Sequence, residues 1–208
     1  MARVKVGESA KNALMGAIGR TTSNIDVKTD ADGRHRVVCD SFTLVVDPGS
    51  KALGELPRAF IIDDGKAPVE LGIEATRMCL AFLSGYMKAA ASSAKHYAEM
   101  HAERADKGAD TLRSLYGGAV SGGLAGDGAD NPRFERALRG TQKDRASAVA
   151  ARTDARLFQT SAGSLDAARK RFDEAYPKAE DAAKAEGDAD AEDADDNAGG
   201  STGTEAED

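Results

Sequence analysis

Tryptophan is absent from this chain, and aromatic residues of every kind make up only 5% of its 208 residues. A core must therefore be assembled from Val, Leu, Ile, Ala and Met, and it is expected to be thin. Cysteine occurs twice, as Cys39 in a strand-like run and Cys79 in a helix-like run. Two such residues give neither a disulfide framework nor a metal-binding spacing. No apolar run approaches the roughly 20 residues needed to span a bilayer. The opening MARVKVGESAKNALMGAIGR is broken by Glu8, Lys11 and Asn12, unlike the apolar stretch of a secretory signal. A cytoplasmic location and no membrane partner are the expectations that follow.

Charge is plentiful and unevenly spread. The net charge of −7 averages over two regions of opposite sign. Residues 177–208 carry two bases, Lys178 and Lys184, against twelve acids, a net of −10, so the residues before them hold a net of +3. A segment of Asp, Glu, Ala and Gly cannot bury enough apolar area to offset the entropy of ordering. Residues 177–208 are therefore expected to form a disordered acidic tail, either solubilising or autoinhibitory.

Changes of period divide the remainder. Ala10, Leu14, Ala17 and Ile18 fall at helical spacing and predict a short amphipathic helix over 8–18. Ile25 and Val27 alternate, Asp32-Gly33 offers a turn, Val37 to Val46 is rich in β-branched residues, and Ala59 to Asp63 reads as a further strand. Pro48-Gly49 closes the second of these runs. Residues 1–66 thus predict a small α+β unit with three or four mostly antiparallel strands.

From Pro68 the period turns helical, and 67–116 predicts one long core helix. Leu71, Ala75, Met78, Phe82 and Tyr86 form one stripe, and Ile73, Leu80, Leu83 and Met87 a second, so 71–87 should be covered on more than one side. Residues 117–130, with Gly at half the positions of GGAVSGGLAGDG, predict a flexible linker; no strand precedes them and no Gly-Lys-Ser/Thr follows, as a phosphate cradle requires. Asn131-Pro132 is suited to restart a helix, and 131–176 predicts an Arg-rich helical segment interrupted near Gly140 and Gly163. The whole is an α+β chain ending in a helical hairpin and the acidic tail.

Chemical motifs fail residue by residue. KTDADGRH places Lys28 and Cys39 where a calcium loop needs carboxylates, so it reads as a turn. His96 and His101 lie five residues apart, roughly 140° around a helix, and cannot share an ion; His96 and Glu99 lack a matching pair elsewhere. Asp63 and Asp64 end a strand with no catalytic partner in sight. No catalytic residue, cofactor, metal or small-molecule substrate is expected, and the chain is not read as an enzyme.

Two surfaces carry the functional expectation. Arg136, Arg139, Lys143, Arg145, Arg152 and Arg156 crowd one helical segment, and Arg145, Arg152 and Arg156 share a face about 16 Å long that suits guanidinium–phosphate pairing. A solvated helix would carry the same arginines for solubility. The second surface is a narrow apolar seam through Tyr97, Met100, Leu112 and Leu115, with that of Phe158, Leu165 and Phe172, which needs either an intramolecular hairpin or a homo-oligomer to cover it. The expected function is that of a non-catalytic interaction or assembly protein with helix-mediated self- or partner association. The alternative is a nucleic-acid-binding accessory protein without sequence specificity, whose tail competes with the polyanion. In layout, a folded body followed by an acidic C-terminal tail resembles the single-stranded-DNA-binding proteins of bacteria and their viruses. Those tails usually end in an aromatic residue, whereas this one ends Glu207-Asp208.

Overall fold

The computed structural model describes residues 5–121 and 132–178. It opens with α1 (Glu8–Ile18), which ends on Gly19 in the left-handed conformation, φ 64°. Leu14 and Met15 are its buried pair, with Ile18 packed beside them; Ala10 and Ala17, expected on the same stripe, face solvent.

Five strands follow as an antiparallel meander in the order of the chain: β1 (Ile25–Thr29), β2 (His35–Cys39), β3 (Phe42–Asp47), β4 (Arg58–Asp63) and β5 (Val69–Glu70). Register places Val27 opposite Val37, Val37 opposite Leu44, and Leu44 opposite Ile61, so one apolar row crosses four strands on a single face. The β-branched run from Val37 to Val46 is split into two strands by the turn at Asp40-Ser41, where Asp40 accepts hydrogen bonds from the Ser23 amide, 2.6 Å, and the Thr22 hydroxyl, 3.0 Å. Between β3 and β4, Gly49 has φ +65° and a Cβ there would sit 2.6 Å from the Glu55 carbonyl oxygen, so glycine is required at this turn. The fifth strand corrects the expectation of helix from Pro68: Val69 and Glu70 pair with β4 first, because the exposed edge of β4 offers unmet backbone groups to the next extended residues.

The long helix α2 (Ile73–Ser121) has 49 residues, about 73 Å at 1.5 Å per residue. Its first turns bury Cys79, Leu80, Phe82, Leu83 and Met87 between the sheet and its partner helix, which is the two-sided coverage expected of 71–87, although Ile73 and Met78 remain exposed. It runs through Gly117 and Gly118 to Ser121, into the stretch expected as linker; residues 122–131 lie outside the described part. The partner helix α3 (Pro132–Ala175) begins on the proline foreseen at its first position. It is continuous where breaks were expected: helix persists across Gly140 and Gly163. Each glycine costs about 1 kcal/mol relative to Ala in a helix, and packing along the whole of α2 offsets that.

α2 and α3 form the expected antiparallel hairpin. Leu165, Ala168 and Phe172 of α3 complete the core under the sheet. Beyond Met87 and before Phe158 the two helices leave that core and continue as an arm, which extends α2 by about 50 Å. The facing positions in the arm are mostly alanine: Ala90, Ala94, Ala98 and Ala105 on α2, Ala148 on α3, all buried. Small side chains let the two backbones approach closely. At Gly108 a Cβ would collide with the Thr141 hydroxyl oxygen. Residues 179–208, including nearly all of the acidic tail, lie outside the described residues.

Candidate functional site

The arm's interior explains what its surface offers. Along α3 the inward residues Thr141, Asp144, Ala148, Ala151, Ala155, Phe158, Ala162 and Leu165 alternate spacings of three and four, the heptad rule of paired helices. On α2 the inward residues after Met87 are Ala90, Ala94, Ala98, His101, Ala105 and Gly108. The apolar seam read from the sequence is therefore displaced by one residue on α2. Tyr97 is 43% exposed and Met100 sits half-buried at the flank, because the closely spaced helices admit Ala98 and not a phenol ring. Leu112 and Leu115 are half-buried, as is Phe158, whereas Leu165 and Phe172 are consumed by the chain's own core and are withdrawn from any partner.

Polar pairs set the register of the hairpin. His101 Nδ1 lies 2.9 Å from the Asp144 carboxylate, the Ser84 hydroxyl donates to Asp166, and Lys88 Nζ is 2.8 Å from the other Asp166 oxygen. The Lys88 ammonium, aided by the Ser84 hydroxyl, holds the Asp166 carboxyl below the usual carboxylate range. At the head, Arg77 is buried with its guanidinium on Asp173, 2.7 Å, on Glu74 and on the Tyr176 carbonyl, joining the start of α2 to the end of α3. Hydrogen bonding to Asp173 keeps Arg77 charged despite the desolvation.

The six basic residues singled out in the sequence do not form one surface. Arg145, Arg152 and Arg156 share one flank of α3, whereas Arg136, Arg139 and Lys143 lie roughly 120–180° around the axis. Arg139 is occupied by Glu135 at 2.9 Å. The flank with Arg156 acquires two cations that lie far upstream in the chain and carried no signal there: Lys88 and Lys95 of α2 line the same groove as Arg156, over a floor that includes Ala91, Ala155 and Ala162. In the head, Arg20, Arg34, Arg36, Arg58, Lys66 and Arg77 each have a carboxylate partner. On the arm, Lys95, Arg104, Arg136, Lys143, Arg145, Arg152 and Arg156 have none among the described residues. Unmet positive charge is thus concentrated on the arm, although Lys5 and Lys51 of the head also lack a carboxylate partner among the described residues.

The remaining motifs resolve into structure. Asp30 and Asp32 serve the β1–β2 turn and its arginines, with Gly33 at φ +84°. Asp63 is paired with Arg20 at 3.0 Å and Lys66 at 3.5 Å. His96 and Glu99 are exposed, and among the described residues no group of three or more His, Cys, Asp or Glu is placed to hold a metal ion. Burial pushes the thiol of Cys39 up to about 11 and that of Cys79 up to about 12. No described helix is long and apolar enough to cross a membrane.

Fold and surface together define a class: an α+β head that carries an antiparallel helical arm with unpaired cations. No protein-family model matches the chain, and no curated protein or solved structure matches it.

Proposed function

We propose that this chain is a non-catalytic interaction protein whose head holds out the arm to join copies of itself. The observation that carries this reading is the set of large apolar residues left exposed along the arm, Tyr97, Tyr116, Leu138, Val149 and Leu157, although its interior is closed with alanine. Val149 and Leu157, about two turns apart on α3, are 62% and 61% exposed. The test is mass by light scattering over a range of concentrations, on the full chain and on a Val149→Glu/Leu157→Glu variant with its helical dichroism checked. Association that is abolished in the variant supports the reading. A full chain that stays monomeric at every concentration rejects it.

The unpaired cations support a second reading, an accessory protein that binds nucleic acid through phosphates and without reading bases. Replacing Arg145, Arg152 and Arg156 with Ala should then weaken duplex binding and lower the salt slope by roughly 0.9 for each phosphate left unneutralised. Absence of any affinity for DNA or RNA at low salt, in a chain ending at Tyr176, would return those arginines to a solvated flank.

A further inference from the structure

The groove between α2 and α3 has three features that together specify an occupant. Its rim is cationic, with Lys95 and Arg156 unpaired and Lys88 engaged on one side by Asp166. Its floor is small, since Ala91, Ala155 and Ala162 leave room for an extended main chain against the helices. Its position is fixed relative to the point where the chain leaves the fold: Arg156 lies about 29 Å back along α3 from Ala175.

Residues 179–208 supply a matching ligand. Asp188, Asp190, Glu192, Asp193, Asp195 and Asp196 crowd into nine residues with no base among them. This run starts ten residues beyond Lys178 and ends eighteen beyond it, a reach of about 33 to 59 Å for extended chain. An extended connection therefore reaches the groove, and the small residues Ala189, Ala191 and Ala194 interleaved with the acids fit a floor of alanines. From these observations we infer that the run 188–196 seats in cis in the groove rimmed by Lys88, Lys95 and Arg156. The tail is then an intramolecular competitor for whatever anionic surface the arm meets. Tethering raises its local concentration to the millimolar order, so an intrinsic affinity of about 1 mM keeps it seated roughly half the time. Acidic groups nearby, Asp166 in the groove and Glu99 one turn farther along α2, limit the affinity and favour a short run of acids over an unlimited polyanion. The inference is independent of what the arm binds.

Carbodiimide coupling on the full chain at low salt reads the seating directly, because it joins a lysine amine to a carboxylate only when the two touch. An equal mixture of isotopically light and heavy protein separates coupling within one chain from coupling between chains. The expected product joins Lys95 to the 188–196 run within one chain, in several-fold excess over coupling of that run to the exposed Lys51, Lys107 or Lys143. It should disappear in Arg156→Glu, which leaves the reactive Lys95 in place on an unchanged helix, and disappear again at about 0.5 M salt, where screening extends over only a few ångströms. Even coupling across all exposed lysines overturns the inference, as does coupling that joins light to heavy chains or persists in Arg156→Glu. Self-association, measured separately by mass, is untouched by any of these outcomes.

Discussion

His35 is the residue whose environment departs furthest from what its type suggests. It stands on the helix-covered face of β2, nearly fully buried, with Nδ1 3.0 Å from the Thr29 hydroxyl. Desolvation lowers its pKa from 6.5, opposed in part by the negative charge of Asp30. The unfolded chain therefore binds a proton at His35 at higher pH than the folded one does. Stability is full above 6.5 and should fall as the pH drops below that value. Asp40 and Asp166 act in a separate window: hydrogen bonds from the Ser23 amide and from Lys88, respectively, lower their pKa from 3.8, so their stabilisation is present above that value and lost below it. Denaturant titrations from pH 7.5 to pH 3 should show a decline below 6.5 that is absent in His35→Gln, while the acid limb below 3.8 remains in both. An unchanged slope in the variant would assign the decline to other groups.

Among the elements, the hairpin makes the firmest demand on sequence. A Cβ at Gly108 would run into Thr141 across the hairpin, so Gly108→Ala should destabilise the arm by about 1–3 kcal/mol, the range for overpacked interiors. Thr141→Ala removes the oxygen in the way, and the double variant should recover most of the stability; additivity in that cycle would show that the two sites do not touch. Much of this architecture was legible in the sequence. Alternating Ile25, Val27 and the Val37–Val46 run gave the strands, the two stripes over 71–87 gave the core helix, and Pro132 gave the restart. Four features were not. Val69-Glu70 is too short to carry a period, and only the open edge of β4 makes it a strand. Gly140 and Gly163 read as breaks because propensity is local, whereas the support of α2 is tertiary. The arm's seam was misplaced onto Tyr97 because pattern reading favours large apolar residues, and closely packed helices select alanine. The same limit hid two of the three cations of the groove: Lys88 and Lys95 become neighbours of Arg156 only through antiparallel pairing.

At the scale of the whole molecule, the arm dominates shape. A compact chain of 208 residues has a radius of gyration of about 17 Å. With an arm extending about 50 Å beyond the core, small-angle scattering from a monomeric fraction should give a value well above that and a distance distribution with a long shoulder. A compact value would mean that the arm folds back on the head in solution. Both ends of the hairpin's two helices are tied to one another at the head through Arg77, Asp173 and the Tyr176 carbonyl, and the opposite ends are free of the sheet. Because the α3 seam repeats every seven residues and, among the described residues of the arm, packs against α2, the arm behaves as a ruler. Adding one seven-residue unit to each helix at facing positions would move the tip outward by about 10 Å while leaving the packing of the head as it is. The reach of the arm is thereby separable from the fold of the head, and matched insertions in α2 and α3 would change one without the other.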